Sequence, residues 1–503
     1  MKGDFTFMKK MCFRILCCIA AILMSVASLA ACGSGGEVTT APPVYDEGEQ
    51  ESGRDSIKDT VPEDLRFDGE TVTFFVRDDT DMWKNEMDVE KTTNDTLYDA
   101  IYYRNSTVED RLGVEIKQIG QSGNANTTQA WNASLRNSVL TKSGDYEAAA
   151  IYASSGSALA VEGLYFNVLD LPHINLEQPW WNKSIVKEVT LFDTLYYLAG
   201  DIAITETATG NCMFFNKNLF SELYGTQNIN LYNLVEEGGW TIDRMNELVA
   251  GAWTDENSDG LVSEGDTVGF AANKNTKGDG GMDAWIPAMD ISLTTMVDGY
   301  PELTFYDEHT VDAFEKLQGL YNTNPGTLRL DGIGSNSFLE GKQLFIRTQL
   351  DAGSGFRNMT DSYGVLPMPK YDAEQEKYQT TFLNAASLVV VLSTCTETEK
   401  VGATLELMAA ESYKQVTPAY FEVCLKGKYS DAPEDAEMYD RILEGYVYSF
   451  GFCYSTYSLD AIGSLFRDLD ADLAQKYEQN KIKYETSLET LITKLDDISF
   501  MMK

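Results

Sequence analysis

The sequence predicts an α/β fold, a mostly parallel sheet flanked by helices. Two observations predict it. Strand-like and helix-like segments alternate in the order β-α-β-α-β from Thr71 to Ala153, the pattern of parallel strands joined by helical crossovers. Apolar residues make up 43% of 503 residues, enough for sizeable cores in two or three domains.

Each element has its own signal. Thr71–Val76 is an apolar run with strand length. Asn94–Leu112 puts Leu97, Ile101, Val108 and Leu112 on one helical stripe, with Gly113 just past the end. Val114–Ile119 alternates like a strand, Ala130–Leu140 is helical, and Tyr146–Ala153 is the next strand. A second unit starts near Asp201. Cys212–Asn216 reads as a strand, and Trp240-Thr241 opens a helix with Met245, Leu248 and Val249 inward. Glu340–Arg347 and Ser362–Met368 add elements, and Phe382–Leu392 reads as a long apolar strand. Thr396 and Glu399 have the spacing of a capping box before Val401, Leu405 and Met408. Ile462, Leu465, Phe466, Leu469 and Leu473 mark one late helix; Tyr484, Leu488, Leu491, Ile492 and Leu495 mark another. There is no internal repeat.

Lys+Arg number 39 and Asp+Glu 78, a formal charge of −39. Phosphate backbones and anionic membrane faces would be repelled, so nucleic-acid partners are excluded. Two histidines, His173 and His309, leave little for a His-based metal site or a Ser-His-Asp triad.

The first 31 residues read as an export signal. Lys9, Lys10 and Arg14 precede an apolar or small run from Ile15 to Ala31. Leu29-Ala30-Ala31-Cys32 resembles a bacterial lipobox, which implies a lipidated Cys32 as the mature N-terminus and a lipid anchor in the membrane. Met8 is an alternative start to Met1. Residues 32–64 are rich in Gly, Ser, Thr, Pro and acid, and are expected to be a flexible acidic linker. Cys212, Cys395, Cys424 and Cys453 remain in the body without a C-x-x-C pair; buried free thiols are expected, and one disulfide stays open.

Three stretches resemble extracellular solute-binding proteins of ABC importers, the carbohydrate-binding branch that includes maltose-binding protein. They are Met213–Phe220, Gly239–Asn246 and Gly364–Tyr371. The resemblance implies a two-lobed, periplasmic-binding-protein-like fold with hinge crossovers and a sugar site between the lobes. It puts residues 65–205 with 382–440 in the N-lobe and 206–381 with 441–503 in the C-lobe. It implies a monomer on the outer face of the cell membrane that hands its ligand to importer permease subunits and turns nothing over.

A sugar site needs flat aromatic platforms and hydrogen-bonding groups for hydroxyls, and the chain has 27 Tyr and 7 Trp. The expected ligand residues are Arg77 and Asp78 after the first strand, Tyr152 and Ser155 after the third, Glu206, Thr209 and Asn211 at the first crossover, Asp283 and Trp285 in the C-lobe, and Tyr454 and Tyr457 before the last helices. Ser155 stands where the family more often has an acid. Trp180-Trp181 is expected to pack between elements. Two other readings stay open: a binder of a peptide or polyamine, and a surface glycosidase using two carboxylates.

Asp255-Glu-Asn257-Ser-Asp259-Gly260 with Asp266 has the spacing of a calcium loop. Asp255, Asn257, Asp259, Leu261 (through its carbonyl) and Asp266 would hold a structural ion; the twelfth position is Asp rather than Glu. The competing reading is an Asx-rich turn.

Overall fold

The computed structural model describes residues 53–331, 335–425, 433–454 and 460–502. The expected signal, Cys32 and the linker up to residue 52 lie outside these.

The first sheet has the order β11-β3-β1-β2. Strand β1 (Glu70–Arg77) runs parallel to β2 (Val114–Gln121), with Glu70 opposite Val114 and Arg77 opposite Gln121. On its other side β1 pairs in parallel with β3 (Ala148–Tyr152). β11 (Ser387–Val391) returns late in the chain, antiparallel to β3, placing Ser387 opposite Tyr152.

Helix α1 (Thr96–Leu112) starts where the Asp95 carboxylate accepts from the N–H groups of Leu97 and Tyr98, and stops at Gly113 with φ 66°. Its stripe is buried as expected. Helix α2 (Thr128–Thr141) lays Trp131 on Phe75, ring centroids 4.3 Å apart. Helix α3 (Lys183–Val189) follows Trp180 and Trp181, which are buried and both donate to Glu406. This bears out the expected role in joining elements.

The second sheet has the order β10-β4-β9-β5-β8. β5 (Val268–Asn273) is parallel to β8 (Thr327–Leu330) and to β9 (Gln343–Gln349). β4 (Asn211–Asn216) is antiparallel to β9 and to β10 (Tyr363–Leu366). A hairpin, β6 (Thr294–Val297) with β7 (Tyr300–Leu303), stands apart.

Between the sheets the chain crosses through α4 (Ile204–Ala208), which is wholly buried, and returns through residues 380–386. The crossings are stitched together. Asn211 N–H donates to Thr381 O at 3.1 Å, Leu383 N–H to Thr209 O at 3.2 Å, and Val447 N–H to Thr380 O at 3.0 Å. The Tyr446 hydroxyl donates to Thr207 O at 2.8 Å. Gly210 is required here, because an added Cβ would lie 1.7 Å from that hydroxyl oxygen. Gly210→Ala should therefore destabilise the protein by about 1–3 kcal/mol, the usual cost of overpacking. A thermal melt unchanged by this substitution would show that the crossings tolerate looser contact.

Four expectations are corrected. The folded body begins at Arg54, not residue 65: Val61 is buried, Asp59 pairs with Arg111 at 2.7 Å, and Arg54 donates to Tyr413 O. Helix α5 (Thr398–Glu411) is capped at Glu397 with no side-chain cap bond, so Thr396 and Glu399 form no capping box. Helix α6 (Pro433–Glu444) belongs with the second sheet, not the N-lobe: Asp435 pairs with Lys217 at 2.7 Å and accepts from Tyr232 OH at 2.6 Å. After short helix α7 (Phe450–Cys453), the last element is one long helix, α8 (Leu473–Met502), which Leu473 opens rather than closing the helix before it. Tyr477 of α8 stacks on Tyr306 at 4.4 Å, and its last turns pack on residues 157–163 of the N-lobe.

Cys212, Cys395 and Cys453 are free thiols; the side chain of Cys424 lies outside the described residues. No described helix is long and apolar enough to cross a membrane.

Candidate functional site

Both sheets turn carboxyl strand ends toward the crossings: β1 and β3 from one lobe, β5 and β9 from the other. Such edges are where open α/β sheets bind ligands.

Arg77 ends β1 and is 1% exposed. Its guanidinium lies over the rings of Trp83 at 4.4 Å and Tyr152 at 5.2 Å. Arg77 Nη2 donates to Ser387 Oγ at 2.6 Å, and Ser387 Oγ donates to the Glu86 carboxylate. Thr205 of α4 donates to the same carboxylate at 2.7 Å and accepts from Ser387 N–H at 3.1 Å. Arg77 Nε and Nη1 are buried with no hydrogen-bond partner among the described residues. Burial lowers the Arg77 pKa to about 10 and pushes Glu86 up. The network ties a strand end of the N-lobe to the first crossover.

Around it the expected residues divide. Tyr152 is half-buried against Arg77, and Asp78 is exposed. Ser155 Oγ is bound to Thr128 Oγ1 at 2.7 Å. Glu206, Thr209 and Asn211 are buried in the crossing. Glu206 accepts from Gly200 N–H at 2.7 Å, and burial pushes its pKa up to about 8. Thr209 Oγ1 donates to Thr205 O at 2.7 Å, and Asn211 Nδ2 to Thr381 O at 2.9 Å. These three hold the crossing together.

No protein-family model and no curated protein matches this sequence. Solved structures do. A cyclo/maltodextrin-binding protein complexed with maltotetraose is 11% identical with TM-score 0.54, over 85% of this chain and 97% of that one. The galacto-N-biose/lacto-N-biose I-binding protein of the ABC transporter from Bifidobacterium longum, in complex with lacto-N-biose, is 13% identical with TM-score 0.53, over 84% of this chain and 98% of that one. UspC of M. tuberculosis is 14% identical with TM-score 0.53, over 83% of this chain and 100% of that one. The fold is that of the two-lobed solute-binding proteins.

Within this solute-binding fold, two C-lobe expectations fail on burial. Trp285 is 0% exposed and donates Nε1–H to Tyr321 OH at 2.9 Å, so it is core and not a cleft platform. Tyr454 is 2% exposed, packed between Tyr197 and Phe450. Tyr457 lies outside the described residues. Asp283 is held by Arg467 through two 2.5 Å bonds. Trp83, Glu86, Thr205 and Ser387 were not expected at the site. A signal existed for Trp83, an aromatic just beyond a strand end and its Thr80 cap.

The Asp255–Asp266 loop satisfies its own oxygens. Asp255 accepts from Asp259 and Gly260 N–H, Asn257 Oδ1 from Asp259 N–H, and Asp259 from Leu261 N–H. Asp266 is buried and accepts from Glu256 and Ser263 N–H. No group of three or more His, Cys, Asp or Glu side chains is placed to hold a metal among the described residues.

Proposed function

We propose that the protein is a lipid-anchored extracellular solute-binding protein, which captures a sugar or oligosaccharide between its lobes and delivers it to an ABC importer without chemical turnover. One observation carries the reading. The carboxyl ends of both sheets meet the same crossings, and there half-buried Tyr152 and Trp83 flank the Arg77 guanidinium. Aromatic faces can cover sugar C–H surface while charged and hydroxyl groups orient its hydroxyls. The structural neighbours that bind maltotetraose and lacto-N-biose support this choice of solute.

The test is calorimetry with maltotetraose, lacto-N-biose, a peptide mixture and spermidine, with product measured in the same samples. An oligosaccharide should bind and remain intact. Tyr152→Ala should weaken it about ten-fold or more, as expected for about 1–3 kcal/mol of lost aromatic contact. Equal affinity in Tyr152→Ala would remove that strand end from the site. Binding of spermidine or peptide alone would change the solute class, and product formation would favour the glycosidase.

Anchoring is tested separately. Mass spectrometry of the membrane fraction should find diacylated Cys32, and Cys32→Ala should be released or keep its signal; normal anchoring of that variant would end the idea. Calcium at the Asp255–Asp266 loop is a proposal from spacing alone. Calcium should raise the melting temperature of metal-stripped protein, and identical curves would leave only the turn.

A further inference from the structure

A cavity of about 440 Å³ lies between α3 of the N-lobe and residues 283–295 of the C-lobe, with Gln379, Thr381, residues 447–449, Gly451 and Phe452 also in its wall. Its volume is within the roughly 300–1,000 Å³ of small-molecule sites. Arg77, Trp83, Tyr152 and Ser155 do not line it; of the ligand residues expected from the sequence, only Asp283 does.

Four of the five charged groups in its wall have protein partners, and the fifth, Asp290, is exposed. Lys187 pairs with Glu188 at 2.7 Å, and Asp283 with Arg467 at 2.5 Å. Lys183 donates to the carbonyls of Leu176 and Gln178. The remaining polar wall is largely neutral: Ser292, Thr294, Gln379 and Thr381, beside apolar Ile286 and Phe452. Thr294 is 4% exposed, and its hydroxyl has no hydrogen-bond partner among the described residues. A buried hydroxyl without a partner is costly, and a bound hydroxyl group would satisfy it. The hairpin that carries Thr294 also touches the N-lobe, through an edge contact between Tyr300 and Phe192 at 5.7 Å.

We propose that this cavity is a second binding site, for a small neutral polyhydroxy compound of about one monosaccharide in size. An uncharged occupant follows from the pairing of Lys183, Lys187, Glu188 and Asp283, with the remaining carboxylate, Asp290, exposed to solvent. Hydroxyl chemistry follows from the Ser, Thr and amide groups with an apolar side for C–H surface. Because the walls come from both lobes, an occupant senses their relative position, and its binding is linked reciprocally to any ligand of the strand-end cleft. The site stands whether or not that cleft binds sugar.

The test uses the mature chain with D-glucose and sorbitol as probes, followed by saturation-transfer NMR and calorimetry. At least one probe should bind saturably at millimolar concentration. Gly463 lines the cavity, and a Cβ there would meet Ile286 at 3.6 Å and Asp283 at 3.9 Å, ordinary contacts, so Gly463→Leu should fold and fill the space. It should weaken the probe ten-fold or more, Thr294→Val should weaken it several-fold, and Tyr152→Ala should leave it unchanged. Melting curves verify that each variant folds. No saturable binding of either probe would overturn the proposal. So would loss of binding in Tyr152→Ala with full binding in Gly463→Leu, because the probe would then sit at the strand ends. If Gly463→Leu fails to fold, wild-type affinity in Thr294→Val overturns it equally.

Discussion

Glu86→Ala should destabilise the protein by about 3–5 kcal/mol, the cost of removing one of two buried opposite charges bridged by the Ser387 hydroxyl. The carboxylate receives the Ser387 and Thr205 hydroxyls and offsets the Arg77 charge. Its removal strands a guanidinium that is 1% exposed and already has two nitrogens without partners. Chemical denaturation would measure the loss. The double variant Arg77→Met/Glu86→Leu should recover most of it, because two apolar side chains need no pairing. Additive losses in that cycle would mean that Arg77 and Glu86 do not act as a pair.

Glu206→Gln should make the protein more stable at pH 8 and above, and change little near pH 4. Glu206 has its pKa pushed from 4.5 up to about 8 by burial, so the native state holds a proton that the unfolded chain releases. Its contribution to stability is present below about 4.5 and is lost as pH rises toward 8. Glutamine keeps an acceptor for Gly200 N–H and has no charge to desolvate. The gain above pH 8 should be on the order of a few kcal/mol, from 1.36 kcal/mol per pKa unit. Melting curves at pH 5 and pH 8.5 test this; a gain of equal size at both would point to something other than the proton.

The N-lobe was legible because its elements are continuous in sequence. α1 declares itself through one apolar stripe and Gly113, all within twenty residues of one another. The core of the candidate site was not, because Arg77, Glu86, Thr205 and Ser387 are brought together by three separate passes of the chain. Polar side chains carry no periodicity that announces such a meeting. Trp285 misled for a related reason: a tryptophan on a core helix and one on a ligand platform look alike until burial is known. The lobe assignment of α6 failed because amphipathic helices show which face is buried and not against what. Asp435, which docks it, is an ordinary acid in the sequence.

Helix α8 has a mechanical consequence. Thirty residues at about 1.5 Å each make a rod of roughly 45 Å. It is seated on Tyr306 at one end and on residues 157–163 at the other, so it is a strut between two bodies that also meet at the crossings and at the Tyr300–Phe192 contact. A stiff strut does not stretch. A rotation of one lobe against the other that leaves its far seat intact must pivot through that seat and through the crossings, and these two points define a line. A swing about an axis through that seat and the crossings leaves both intact, as a door does on two pins, whereas twisting or sliding apart would require the last turns of the helix to unseat and the Tyr300–Phe192 contact to part.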